Sequence, residues 1–151
     1  MIKSYPKEKD LIPVANFRNM KVKKQKSLQQ LKQDLDKAFN AYIRKRDSSP
    51  GYVFFVCISC GIPKRTKLMH AGHFHSAGHH EAIRWDERNV NGQCDRCNYF
   101  LHGNFEGYLK GMIKKYGQKV IDDLEIQRHN KSKMMKFEVQ LLIVKYKALL
   151  N

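Results

Sequence analysis

Two pairs of cysteines at tight spacing constrain this chain more than any other feature. Cys57-Ile-Ser-Cys60 and Cys94-Asp-Arg-Cys97 are both C-x-x-C, with 33 residues between them. That spacing lets two sulfurs reach one metal from one turn, and two such pairs supply the four thiolates of a closed tetrahedral zinc site. Gly61, directly after Cys60, suits such a turn because glycine accepts a positive φ. Redox-active thiols or unliganded core cysteines are the alternatives. A four-cysteine site has no open position, so the expected zinc is structural and pins a segment with little core of its own.

Charge narrows the partner. Lys and Arg number 29 against 14 Asp and Glu, a formal net charge of +15, so a polyanion is the expected partner. An anionic membrane fits less well, because no strongly amphipathic basic helix dominates. No apolar run approaches the 18 or so residues of a span. Met1 to Met20 is polar and broken by Pro6 and Pro13, so no leader is expected. The expectation is a cytoplasmic protein, a setting in which clustered cysteines are metal ligands more often than disulfides.

At 151 residues the chain has room for one modest core. Residues 1–26 form a basic arm with Lys21, Lys23 and Lys24, either phosphate contacts or a solvated tail. Residues 27–151 read as a single domain. Ser27 can cap a helix whose Leu28, Leu31, Leu35, Phe39 and Tyr42 recur at helical spacing to about Arg46. Asp47 to Gly51 is a turn and Tyr52 to Val56 a strand. Leu68 to Phe74 reads as a strand and Ile83 with Trp85 as its partner, Trp85 being core. A short helix is expected from Cys97 to near Gly103. Phe105–Tyr116 is helical and stops at Gly117. Val120, Ile121 and Leu124 mark another helix. Phe137, Leu141, Val144 and Ala148 mark a last one, with those residues packing inward.

Between the cysteine pairs lie the groups for phosphodiester hydrolysis. That reaction needs an activated water and stabilised charge on phosphate and leaving oxygen. His73, at a strand end, can take the water's proton near neutral pH. Asn98, after the last cysteine, can hold a divalent ion, or else cap a helix. Asn89 can tie the intervening loop to the strand. By period two, His75 shares a face with His73, as a site-edge group or a surface residue. Arg84 can steady phosphorane charge, and Asp86 or Glu87 can supply a metal ligand. His79, His80 and His102 read as surface residues, and His129 lies too far along the chain to bear on the site. Lys64, Arg65 and Lys67, beside the first knuckle, are expected to touch DNA phosphates, contacts that set affinity rather than sequence choice.

His73, Asn89 and Cys94-x-x-Cys97-Asn98 resemble the HNH, or His-Me finger (ββα-metal), nucleases. Cys57-Ile-Ser-Cys60-Gly61, Ala71-Gly72-His73-Phe74, Arg84-Trp85-Asp86-Glu87-Arg88-Asn89, Gln93-Cys94, Cys97-Asn98 and Gly103-Asn104 closely resemble the phage NinG/Rap recombination family, over roughly residues 30–148. The resemblance implies an α+β fold: a zinc-stapled ββα-metal core flanked by N- and C-terminal helices. It implies a structure-selective DNA endonuclease that cuts branched recombination intermediates, Holliday junctions and D-loops among them. His73 would be its general base and Asn98 its Mg or Mn ligand. The spacing His70-x-x-His73-x-His75 is also similar to the phage endonuclease VII resolvases and brings in His70 as a second ligand. One departure is Gly72, where many HNH enzymes carry an aspartate ligand.

Two cuts resolve a four-way junction, so a homodimer is expected, with helices 28–46 and 134–150 as its candidate interface, the alternative being that their apolar faces close the core. Other recombination proteins are possible partners, in a phage or prophage setting. The rivals are a non-catalytic zinc-knuckle DNA-binding accessory, which charge and cysteines serve equally well, and a sequence-specific homing or restriction-type HNH nuclease.

Overall fold

A computed structural model describes residues 25–151. Lys21, Lys23 and Lys24, and nearly all of the basic arm, lie outside the described residues. Helix α1 (Leu28–Arg46) starts at Ser27, as its sequence predicts. Ser27 Oγ accepts from the Gln30 N–H at 3.2 Å, and Gln30 Oε1 accepts from the Ser27 N–H at 2.9 Å. This reciprocal cap satisfies two N–H groups. Leu31, Leu35, Ala38, Phe39 and Ile43 are its buried stripe.

Strands β1 (Phe54–Val56) and β2 (Pro63–Arg65) form an antiparallel hairpin whose connection is the first cysteine pair. Strands β3 (Met69–His73) and β4 (Val90–Cys94) form a second, in register from Met69↔Cys94 to His73↔Val90. A wide helical turn, Arg96–Phe100, follows β4; the Leu101 N–H closes it on the Arg96 carbonyl at 2.9 Å. Helices α2 (Phe105–Tyr116), α3 (Gln118–Gln127) and α4 (Lys136–Ala148) complete the chain.

The β3–β4 hairpin is a thin slab between helices. Ala71 and Val90 pack against α1, with Val139 and Tyr146 of α4 in the same cluster. Tyr108 and Met112 of α2 build a second cluster with Phe74, Ile83, Ile121 and Leu124. Phe55, Cys57, Met69, Cys94 and Cys97 form a third, small cluster around the sulfurs.

Two parts of the sequence reading are corrected. The strand expected at Ile83 and Trp85 is a short helical turn, Glu81–Ile83, and the partner of β3 is Val90–Cys94. That strand hid because its inward residues are amides. Asn91 and Gln93, with Asn89 just before them, are fully buried, and polar residues at strand period read as solvent-facing. Burial is tolerated because each amide is hydrogen-bonded. In α4 the expected inward stripe is the outward one: Phe137, Leu141 and Val144 are exposed, while Val139 and Tyr146 are buried. Two apolar stripes lie on one helix, and only packing chooses between them. Helices α1 and α4 pack on each other within one chain, so the inner stripe of each closes the core.

Candidate metal centre and nuclease site

The β1–β2 hairpin delivers Cys57 and Cys60 on a turn in which Gly61 has φ +68° and its N–H bonds the Cys57 carbonyl at 2.9 Å. Cys94 ends β4, and Cys97 sits in the wide turn. All four sulfurs lie within 4.8 Å of one another. Zinc–sulfur bonds of about 2.3 Å in a tetrahedron require sulfurs about 3.8 Å apart, so the cage fits the ion. Burial pushes the Cys97 thiol up to about 12, and a dication reverses that penalty. The Cys94 N–H points at Cys57 Sγ (3.3 Å), and Asn104 Nδ2 donates to Cys97 Sγ at 3.4 Å. The four cysteines can therefore bind a structural zinc.

His73 closes β3. Its Nε2 lies 3.1 Å from the Arg84 carbonyl, which can only accept, so Nε2 carries the proton and Nδ1 keeps a lone pair. Burial lowers the pKa of His73 and keeps the ring neutral near pH 7. Asn89 holds this end together. Its Oδ1 accepts from the His75 N–H at 2.8 Å, and its Nδ2 donates to the carbonyls of His75 and Ile83, each at 3.1 Å. That clamp fixes the loop between the strands at both ends.

The same clamp turns the chain after His73, so the two-residue period does not carry to His75. His75 Nε2 faces the Glu125 carboxylate of α3 at 3.5 Å, whereas His73 faces Arg84 and Asp36. Arg84 is committed as well: Nε and Nη2 hold the Asp36 carboxylate at 3.0 and 2.7 Å. Its contribution to the site is its backbone carbonyl. Asp86 is held by Arg88, and Glu87 by Tyr42 and Lys145.

Asn98 is the third residue of the wide turn, not its cap. It leaves the hairpin from the Cys94 end, whereas His73 lies at the other end, about 13 Å of strand away. The candidate residues thus form two groups, one of His73, Asn89 and Arg84 and one around the wide turn. The turn folds back along β3, its Tyr99 ring edge-on to His70 with centroids 4.7 Å apart. His70 hydrogen-bonds Asp95, a carboxylate that sequence reasoning passed over. Asp95 caps the wide turn on which Asn98 sits. Spacing alone was the signal that could have found it.

Gly72 also has a physical reason. A Cβ there would stand 2.4 Å from Gln93 Oε1 and 2.9 Å from Gln93 Cβ. No aspartate fits while Gln93 crosses to Ser59 Oγ (2.7 Å) and the Gly103 carbonyl (2.5 Å). Lys64 is half-buried, and Arg65 and Lys67 are exposed beside the first knuckle. A cavity of about 770 Å³ opens between the β1–β2 hairpin and α2, lined by Phe54, Val56, Lys110 and Lys114, and neither His73 nor Asn98 reaches it. Among the described residues no helix is long and apolar enough to cross a membrane.

The family model described as bacteriophage lambda NinG protein matches residues 7–151. Protein ninG of Escherichia phage 933W is 33% identical over 114 residues, covering 76% of this chain and 53% of the relative. Protein ninG of Escherichia phage lambda is 32% identical over 114 residues, covering 76% and 52%. Protein ninG of Salmonella phage P22 is 35% identical over 88 residues, covering 58% and 40%. The chain spans about half the length of the first two. No solved structure matches.

Proposed function

The chain belongs to the NinG family of bacteriophage proteins, and from that premise we propose that it is a metal-dependent DNA endonuclease selective for branched recombination intermediates. The observation that carries the reading is the state of His73: half-buried at the end of β3, neutral, and held through Nε2–H by a backbone carbonyl. The order β3, clamped loop, β4, helical turn is also the one expected of a ββα-metal core, with zinc in place of a larger hydrophobic base.

In this reading Nδ1 of His73 takes the proton of the attacking water. The Asn89 clamp and the Arg84 carbonyl hold the ring at the angle that requires. Asn98 and Asp95 offer hard oxygen donors of the kind Mg and Mn prefer, with His70 beside them. A bound divalent ion would supply charge stabilisation at the leaving oxygen. The basic surface, with Lys64, Arg65 and Lys67, holds the DNA backbone. Two symmetric cuts call for a homodimer, and the outward stripe of α4 offers the surface for one.

The test is cleavage of a labelled four-way junction and a matched linear duplex with Mg or Mn. Wild type should cut the junction, and His73→Ala should lose roughly 10²–10⁴-fold in rate while still binding it. Junction binding with no cutting by wild type would favour the zinc-knuckle DNA-binding accessory. Sequence-specific cutting of the duplex would favour a restriction-type enzyme.

A further inference from the structure

The wide turn presents a large apolar surface to solvent. Tyr99 is 61% exposed, Phe100 78% and Leu101 45%. An aromatic left this far out gains nothing from the core, and three in a row form a patch rather than a scatter.

The patch is held rigidly. The Gly103 N–H bonds the Cys97 carbonyl at 2.9 Å, and the Asn104 N–H bonds the Leu101 carbonyl at 2.8 Å. Gln93 Nε2 fixes the Gly103 carbonyl, and the Asn104 side chain reaches the Cys97 sulfur. Behind the tip, His102, Gly103 and Asn104 all have positive φ, at 46°, 94° and 43°. Two of these are not glycine, and a run of this kind persists only where the surroundings over-determine it. The four-cysteine cage is that surrounding.

Position and charge identify what would cover the patch. Asn98 immediately precedes it. Tyr99 leans on His70, which lines a cavity of about 340 Å³ with Lys37, Asn40 and Arg44 of α1. Arg96, on the same turn, is exposed. The cations on this side, Arg96 on the turn and Lys37 and Arg44 around the His70 cavity, outnumber the nearby carboxylate of Asp95; exposed aromatics with such a balance suit nucleobases attached to phosphates, whereas an apolar protein partner would be opposed by this charge. Paired bases inside a continuous duplex hide their faces. Bases at a branch point offer theirs.

We infer that Tyr99 and Phe100 form a stacking wedge for unpaired or unstacked bases at a DNA branch point, and that this wedge is the source of branch selectivity. The inference rests on the nuclease reading for its substrate class only, since stacking needs no cleavage.

The experiment uses zinc-loaded protein carrying His73→Ala, with calcium in place of magnesium. Affinity is measured for a four-way junction and for a linear duplex at one fixed salt concentration. Adding Tyr99→Ala and Phe100→Ala should weaken junction binding by roughly tenfold or more, the worth of one to two stacked bases, and leave duplex binding unchanged. Phe100→Trp should retain the preference and Phe100→Leu should lose it, which separates stacking from greasy contact. Equal losses on both DNAs, no loss, or a full junction preference in Phe100→Leu would overturn the wedge while leaving a branch-selective nuclease intact. A parent protein with no preference for the junction would overturn both.

Discussion

His73 shows how one side chain's surroundings can be read as chemistry. Burial is the largest influence on it and lowers its pKa, the Arg84 guanidinium lowers it further, and the Arg84 carbonyl and Asp36 work the other way. A base must be neutral to act, so cleavage should rise with pH through a value below the ordinary 6.5 and then stay flat. A pH–rate profile on the junction substrate checks this; an acid limb centred above 6.5 would count against His73 as the base. Stability carries the same sign. The unfolded chain binds the proton more tightly, so the His73 contribution is fully present above about 6.5 and is lost as pH falls through the lower folded value. Asn89 was legible as an organiser because its residue type suits a clamp. Spacing does not show that Asn89 turns the chain before His75 or that Asp36 occupies the Arg84 guanidinium.

At the scale of elements, the cysteine cage joins pieces that have little else to hold them. β1, β2 and the wide turn are each five residues or shorter, and two-stranded hairpins are marginal alone. Gly111 shows how closely α2 lies on the first knuckle, since a Cβ there would meet the Ile58 carbonyl oxygen at 1.9 Å. Metal should therefore be a folding ligand. The protein should carry about one zinc per chain, and chelation or Cys97→Ser should lower the thermal midpoint by about 10 °C or more, as the loss of several kcal/mol implies. Metal analysis with calorimetry tests this, and an unchanged midpoint after verified zinc loss would refute it. The cage was plain in the sequence because C-x-x-C is local. β4 was not, because its buried amides have partners on α1, α2 and the knuckle.

For the whole molecule, the open question is what faces outward. α4 buries Val139 and Tyr146 against α1 and leaves Phe137, Leu141 and Val144 in solvent, 53%, 64% and 66% exposed. A second copy covering this stripe would give the two-fold symmetry that paired cuts require. Leu141→Glu should convert a dimer to a monomer in sedimentation velocity and leave the thermal midpoint nearly unchanged, because that position lies outside the core. A wild type that stays monomeric at concentrations where it acts would exclude this face as the interface.

The sequence by itself determined what depends on near neighbours: the capped α1, the cysteine knuckles with their glycine, the stops at Gly117, the overall positive charge and the kinship to NinG proteins. Tertiary structure decided what depends on distant partners. It chose the inward stripe of α4, made a strand of Val90–Cys94, shut aspartate out of position 72 and set Asp95 beside His70. The reason is common to all four. Apolar periodicity and turn chemistry act over a few residues, whereas burial of a polar or ambiguous side chain is settled by whichever group, tens of residues away, arrives to satisfy it.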